Sequence, residues 1–452
     1  MTIDLINIGQ SGARAARASI EITAQNIANA SNPDYVRRSL QLEEFVSSAV
    51  IDYTTSDSLG GVAIGGIVRP NNQLIQARAR DSASDVQRAD TDIAALKDAE
   101  LGLEQSGLFR GLVDFEASLT LLESDPTDPA LRTGAVETAR QLAVTFQSAQ
   151  TGLSNARELA QDAVGVGTEQ ANGAATELAR INRELVNVRP GTASQANLFD
   201  ARDAALRDIS EEFSLSVSFD ERGAATVRLI TTPAPAGEVG PVLVDGGAAN
   251  TISSTIAADG TASFELDGLT FAPVSGAQAG RVSALADLRD RADTLDAIAL
   301  STITRANDAQ ANGAALDGTP GQPLFSGTNA SDIALALTDG DQLALAPLGS
   351  PAGSRDTTNL STLIAAIGAD DGPIAEMDRT LLSLSSRIAG LETTREGLSI
   401  IAGSAAAELL TETGVDLDEE AANLIRLQQA FEANSRVIQV AGDIFDTILG
   451  LN

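Results

Sequence analysis

The sequence contains no cysteine and no histidine, and each absence excludes a class of chemistry. Without cysteine there is no disulfide bond, no thiol nucleophile and no cysteine-ligated metal. Without histidine the chain lacks the commonest metal ligand and the usual general base near neutral pH. An enzyme built from this chain would depend on carboxylate or lysine chemistry. We therefore predict that the protein is not an enzyme and has no catalytic, cofactor-binding or metal-binding residues.

Tryptophan is also absent, aromatic residues make up 3% of the chain, and 30 basic residues face 62 acidic ones. A net charge of −32 argues against nucleic acid or an anionic membrane as a partner. No apolar run is long enough to span a bilayer, and the first four residues lack the basic and apolar regions of a cleaved signal peptide. With 43% hydrophobic residues in 452, the composition predicts a folded protein of several domains, rich in helices packed with small residues.

Three acidic groups are candidate cation sites: Asp370 with Asp371, Asp339 with Asp341, and the group that begins at Asp416. None has the ligand spacing of a calcium-binding loop, so helix capping or an exposed surface is the favoured interpretation. The glycine-rich run at residues 60–66 is interpreted as a hairpin, since no helix opens directly after it as a phosphate-binding loop requires.

Both ends of the chain carry apolar residues at alternating spacings of three and four. The N-terminal stripe is Ile6, Gly9, Ala13, Ala16, Ile20, Thr23, Ile27 and Ala30, and the C-terminal stripe is Leu424, Leu427, Phe431, Asn434, Ile438, Ala441, Phe445 and Ile448. This spacing predicts one helix at each end that needs a partner helix. The two helices are expected to pack together, either as an ordinary intrachain pair or as an interface repeated between subunits. The polar Asn434 favours the second alternative, because a buried amide commonly fixes helix register.

Between these ends the pattern predicts helices, then short strands, then helices again. The first helix is expected over 4–30, extended segments over 35–68, and helices over 74–103, 108–122, 130–188 and 193–212. Alternating apolar residues predict strands over 214–276, followed by helices over 279–312 and 373–414 with loops and short elements in between. Asp416 is a predicted N-cap, with Glu419 at the capping-box position.

The predicted fold is mainly α, with terminal helices paired as a coiled coil, a long helical bundle in the middle and a small inserted antiparallel β domain. The predicted domains are a terminal-helix domain of residues 1–35 and 416–452, a helical bundle of 36–213 and 277–415 with a short β region near 36–70, and a β domain of 214–276.

Two terminal motifs resemble a known family. Residues 26–35 read N-I-A-N-A-S-N-P-D-Y, similar to the N-I-A-N-x-x-T-P-G-Y signature of the axial proteins of the bacterial flagellum (rod, hook and hook-associated proteins). Residues 415–449 resemble the C-terminal motif of the hook-associated proteins at the hook–filament junction. The positions that carry the likeness are Asn26, Asn29, Pro33, Tyr35, Glu419, Glu420 and Asn423. Asn32 and Asp34 depart from the usual threonine and glycine.

Two interior segments support the hook-associated branch of this family. They are residues 125–129 followed by Arg132, and residues 197–203. Hook and distal rod proteins share the terminal motifs but have β-rich middle regions, so the long helical middle favours a junction protein. A hook or rod subunit is the alternative, and an extracellular enzyme on an axial-protein scaffold is a remote one.

The resemblance implies a structural subunit, secreted through the flagellar export channel to the extracellular hook–filament junction. Its expected partners are identical copies in a ring, hook protein below, a second junction protein above, and an export chaperone at the C-terminal helix. The stripe residues from Ile6 to Ile27 and from Leu424 to Ile448 are the expected assembly interface, ordered when neighbouring subunits cover them.

Overall fold

The structure is a computed structural model that describes residues 2–44, 60–232 and 240–449. The fold is mainly helical, which confirms the predicted fold class. Its α-helices are α1 Thr2–Asn29, α2 Gln73–Ser106, α3 Leu108–Leu122, α4 Pro129–Asn187, α5 Ala193–Glu212, α6 Ala277–Ala311, α7 Thr358–Ile367, α8 Pro373–Thr413 and α9 Leu417–Leu449.

The strands are short, and the strand pairs described below are antiparallel. They are β1 Ser39–Glu44, β2 Val62–Val68, β3 Leu215–Phe219, β4 Ala225–Leu229, β5 Thr231–Thr232, β6 Val242–Asp245, β7 Ala248–Ala249, β8 Ile252–Ile256, β9 Ala262–Leu266, β10 Leu269–Pro273, β11 Gly313–Ala314, β12 Phe325–Ser326, β13 Ala334–Leu335 and β14 Ala346–Pro347. A 3-10 turn, Gly340–Gln342, precedes β14.

The chain divides into two compact units. The first lies within Met1–Ser84, Gln170–Ile252 and Ser399–Asn452, and the second is Asp85–Glu169 and Ser253–Leu398. These limits differ from the three predicted domains, because the strands of the predicted β insert fall in both units. The three-domain division therefore stays a proposal.

In the first unit α1 packs along α9, and β1 pairs with β2 beside them. Strands β3, β4, β6 and β7 form an antiparallel sheet whose inner positions, such as Val227 opposite Val217 and Val244, are apolar. Asn182 of α4 fastens this sheet, because its side-chain amide donates to the carbonyls of Ala225 and Gly246 and accepts from the Ala225 amide.

In the second unit α3 supplies a fully buried face of Leu108, Leu112, Phe115, Leu119 and Leu122, spaced three or four residues apart as the sequence predicted. Phe115 meets Phe325 edge-on with ring centroids 6.0 Å apart. Helices α2 and α4 cross at two glycines. A Cβ built on Gly102 would lie 3.0 Å from the Gly152 backbone, so a larger residue there would force the helices apart.

Arg132, singled out in the sequence as part of a family motif, is almost wholly buried near the start of α4. Its guanidinium donates to the carbonyls of Pro126 (2.5 Å), Gly340 and Leu343 (3.0 Å each), and burial lowers its pKa. The residue thus fastens the segment after α6 to α4. That segment, residues 313–372, consists of loops, two-residue strands and α7, as predicted.

Asp92 of α2 is a second buried charge in this unit. Its Oδ2 accepts a hydrogen bond from the Ser283 hydroxyl (2.9 Å) and lies 3.7 Å from the Arg387 guanidinium. Burial raises the pKa of the Asp92 carboxyl, and the hydrogen bond and Arg387 only partly oppose that shift.

Parts of the predicted β regions, residues 45–59 and 233–239, lie outside the described residues. Of the helices that are described, none is both long and apolar enough to cross a membrane.

Candidate assembly interface

The terminal helix pair, defined as α1 with α9, is closest where α1 has glycine. A Cβ built on Gly9 would lie 2.8 Å from Ile438 Cγ1 and 3.3 Å from the Asn434 carbonyl oxygen. One built on Gly12 would lie 2.3 Å from the Asn434 side-chain oxygen. Contacts this short exclude a side chain at either position unless a neighbour shifts. Glycines cost helix stability, and here that cost is offset by close packing between the helices.

The predicted stripes face each other only in part. The small residues Gly9, Ala16 and Thr23 of α1 are buried, together with Ala441 of α9. Most of the other stripe residues are half-buried, namely Ile6, Ala13, Ile20, Ile27, Leu424, Leu427, Asn434 and Ile438. Phe431 and Phe445 are 39% and 40% exposed. Ile448 belongs to α9, but its side chain is outside the described part. Each stripe therefore covers the other incompletely, and the role of these residues in assembly stays a prediction.

Asn434 acts differently from the register-fixing amide that the sequence suggested. Its side-chain nitrogen donates to the Ala430 carbonyl of its own helix at 2.8 Å. Its oxygen lies against Gly12, so shape fixes the register: the amide fits where α1 has no side chain.

The family motif around the end of α1 owes its geometry to Asn26, which is 1% exposed. The Asn26 amide nitrogen donates to the Arg38 carbonyl (2.9 Å), and its oxygen accepts from the Arg38 amide (3.1 Å) and the Tyr35 hydroxyl (2.8 Å). One side chain therefore pairs with the backbone of residue 38 as a strand would. Burial raises the pKa of Tyr35.

The other N-terminal motif positions have local roles. Asn29 donates to the Gln25 carbonyl one turn back in α1 (2.8 Å), and Pro33 is exposed in the turn. The departures from the family motif are accommodated: Asn32 accepts from the Asp34 amide, and Asp34 pairs with Arg207 of α5.

Arg37 joins the exit of α1 to the entrance of α9. Its side chain donates to Glu420 (2.6 Å) and Glu419 (2.9 Å), and its amide donates to the Thr413 carbonyl (2.9 Å). The bond with Glu420, which is 1% exposed, raises the pKa of Arg37. Asp416 caps α9 as predicted, accepting from the amides of residues 418 and 419. Glu419 stands at the capping-box position, and its carboxylate accepts a hydrogen bond from the Arg37 side chain.

Asn423, the last motif position, is half-buried, and its side-chain oxygen accepts from Arg426 in the next turn of α9. The motif residues of both ends therefore act mainly at the base of the terminal helix pair, where α1 ends and α9 begins.

A buried ion cluster beside this base escaped the sequence reasoning. Asp200 of α5 pairs with Arg38 (2.5 Å) and Arg69, and Asp203 pairs with Arg69 and Arg202 (2.7 Å). The partners Arg69 and Asp200 are 131 residues apart, so no local spacing marks the pair. The likeness of residues 197–203 to the family was the only signal, and it did not reveal the arginines at 38 and 69.

Burial dominates the electrostatics of this cluster. It raises the pKa of Asp200, although Arg69 and Arg38 favour the ionised carboxylate, and it lowers the pKa of Arg202. The Arg202 guanidinium also stacks on Phe219, 4.2 Å from the ring centroid. Removing one partner would leave an uncompensated buried charge. The cluster therefore connects the residue that follows β2, helix α5 and the segment after α1.

Helix α9 exposes a second apolar row on its outer side. Ala433, Val437, Val440 and Ile444 recur at spacings of four, three and four, and Val440 is 56% exposed. Ile425 adds an apolar side chain nearer the base. An exposed row of this kind on a helix already paired along another side is typical of an interaction surface.

Comparison with known proteins identifies the family. The model of the flagellar hook-associated protein FlgK helical domain matches residues 97–325, which is just over half of the chain. The chain belongs to this family of flagellar hook-associated proteins. The model of the flagellar basal body rod FlgEFG protein C-terminal region also matches residues 407–451, which include all of α9. The resemblance noted in the sequence is thereby confirmed, and the protein is a structural component of the flagellum.

Relatives with established names agree. The chain is 24% identical to flagellar hook-associated protein 1 of Escherichia coli strain K12, over 99% of both chains. It is 25% identical to the Salmonella typhimurium protein of the same name, over 71% of this chain and 59% of that one. The solved flagellar hook junction protein FlgK from Burkholderia pseudomallei has a similar fold, with a TM-score of 0.62 at 12% identity over 74% of this chain and 99% of that one.

The family is one of structural flagellar proteins. Over residues 2–44, 60–232 and 240–449, no three acidic side chains come together in a way that could hold a metal ion.

Proposed function

We propose that this chain is the subunit of the junction between hook and filament, and that copies of it assemble into a ring through the terminal helix pair. The observation that carries the proposal is the outer row of α9, whose apolar side chains stay exposed although α9 is already packed against α1. Covering that row in the assembled ring would bury apolar surface, which stabilises the contact by about 25 cal/mol per Å² of surface buried.

The proposed location is extracellular, with hook protein on one side of the ring and a second junction protein on the other. An export chaperone would hold the C-terminal helix before secretion, since its exposed apolar row needs covering in the monomer. In the sequence-based domain scheme the strands of 214–276 project away from the ring.

A complementation experiment tests the proposal. In a strain that lacks its own hook-associated protein 1, the unsubstituted chain is expected to restore filaments on the hooks and swimming. Val440→Asp places a charge in the outer row of α9 without touching the α1 side, so filaments should be lost while the circular dichroism of the monomer is unchanged. Leu269→Asp, at a 56% exposed position of β10, is the matched control and should keep both filaments and swimming.

Filaments restored equally by Val440→Asp would contradict assembly through this row. A hook or rod subunit is the second candidate, favoured by the match of residues 407–451 to the rod-protein C-terminal model. Antibody labelling along the appendage separates the two, since a junction subunit labels one band at the hook's distal end and a hook subunit labels the hook along its length.

A further inference from the structure

Between Ser399 and Thr413, helix α8 has one face that its own unit leaves exposed. In the stretch from Ser399 to Thr413 only Ala405 is a buried apolar residue, while Ile400 is 70% exposed and Leu410 is 68% exposed. A Cβ built on Gly403 meets no described atom within 4 Å. The exposed row along this face is Ile400, Ser404, Ala407 and Thr411, of which Ile400 and Ala407 are apolar and the other two carry hydroxyl groups. Leu410 lies beside this row, not in it.

This row has the same spacing as the outer row of α9. Both run at intervals of four, three and four, the spacing by which two helices meet in a coiled coil. Aligned in parallel at an offset of 33 residues, the two rows place an isoleucine or valine opposite an alanine or a hydroxyl residue at every level. The pairs are Ile400 with Ala433, Ser404 with Val437, Ala407 with Val440, and Thr411 with Ile444.

The charges agree with the same register. In a parallel coiled coil, charged residues that flank the core also pair between the two helices. A residue one position before a core residue of the first helix lies near the residue that follows the next core residue of the second helix. In this alignment Arg436 of α9 meets Glu408 of α8. Both side chains are exposed, and Glu408 already forms an exposed ion pair with Arg78 in its own chain.

A closed ring requires two different contact surfaces on each subunit, and the exposed faces of α8 and α9 are two such surfaces. Rings of more than two identical subunits close through contacts between two different surfaces of each subunit.

We propose that the exposed face of α8 in one copy receives the outer row of α9 from the next copy, as a parallel helix pair repeated around the ring. This inference rests on the proposed ring of identical subunits and adds to it the two surfaces and their register. The contact buries Val440 against Ala407, and the occupant of each face is a second copy of this chain.

Because the chain has no cysteine, single substitutions report on this contact without background. Ala407→Cys and Val440→Cys are made in separate chains and expressed together in the strain lacking its own protein. Isolated flagella are then oxidised, and cross-linked dimers are measured on a denaturing gel. The mixture should give dimers, and either variant alone should give none. A mixture of Ala407→Cys with Ala433→Cys is the mismatched control, since position 433 lies seven residues, or about 10 Å, from the level of position 440.

We expect the matched mixture to exceed the mismatched one by about tenfold or more in dimer yield, because cross-linking needs the two Cβ atoms within about 4.5 Å. Dimers from one variant alone would overturn the proposal in favour of like faces meeting. Equal yields from both mixtures, or no dimers from hooks that carry filaments, would overturn it as well while leaving the junction function intact. If the unsubstituted chain restores no filaments, the proposed function fails, and the contact fails with it.

Discussion

The close approach of α1 to α9 predicts that the effect of Gly12→Ala on stability depends on residue 434. The substitution should destabilise the helix pair when Asn434 is present and stabilise it when residue 434 is alanine. A methyl group at position 12 gains about 1 kcal/mol of helix propensity over glycine. With Asn434 present it would also lie 2.3 Å from that side chain's oxygen and 2.7 Å from its Cγ, which amounts to overpacking that costs about 1–3 kcal/mol. The net expectation is a loss of about 0–2 kcal/mol in the stability of the pair.

When Asn434→Ala is introduced first, the clash with the Asn434 amide is removed, and the same change at Gly12 should stabilise the pair by about 1 kcal/mol. The two substitutions should therefore show a coupling energy of about 1–3 kcal/mol. Gly442→Ala is the control for propensity alone, because a Cβ built there meets no described atom within 4 Å. It should stabilise α9 whichever residue occupies position 434.

The assay is native-state amide hydrogen exchange followed by mass spectrometry, with the free energy of opening measured for peptides from α1 and α9 in each variant. The reasoning is refuted if Gly12→Ala raises protection equally with and without Asn434. That result would mean that the two helices do not approach at glycine in solution.

Three further substitutions test the buried polar groups. Asn26→Ala leaves the backbone of residue 38 unpaired and should cost about 2–4 kcal/mol in urea unfolding, against less than about 1 kcal/mol for Asn29→Ala, which loses one bond within its own helix. Arg132→Met keeps the bulk of the side chain but leaves three carbonyl groups without their hydrogen-bond donor. The melting temperature of this variant should therefore fall clearly below that of Arg140→Met, which changes an exposed site of α4. Because burial raises the folded pKa of Asp92 above its ordinary 3.8, the stability this group contributes is present below pH 3.8 and is lost as pH rises through the folded pKa. Asp92→Asn should therefore raise the urea midpoint at pH 7 and change it little at pH 3; a midpoint shift of equal size at both pH values would contradict the assignment.

Elements held by local periodicity were predictable from the sequence. Helix α3 occupies 108–122 as expected, since its buried residues repeat along one helix face and polar turns bound it. The terminal stripes likewise predicted that α1 and α9 would pack together. Asp416 was recognisable as an N-cap because capping depends on residues two or three positions apart.

Features that depend on distant residues were not predictable. The cluster of Arg38, Arg69, Asp200 and Asp203 joins segments more than a hundred residues apart, and nothing in the spacing of arginines links them. The sequence shows that Asn434 is a polar residue in an apolar row. It does not show that the Asn434 side chain fits against Gly12, because periodicity does not reveal which residues of two helices meet. Three of the four limits between the two units fall within α2, α4 and α8, where the helical pattern continues without a break, and the fourth falls in β8.

Thiol accessibility at position 440 tests the central claim most directly. Val440→Cys puts the only sulfhydryl of the chain on the outer row of α9, and its reaction with a maleimide can be compared between the purified monomer and intact flagella. Rapid labelling of the monomer and strong protection in the assembled flagellum is the predicted result. Equally rapid labelling in both would show that the row stays in water after assembly, and assembly through the terminal helix pair would have to be abandoned.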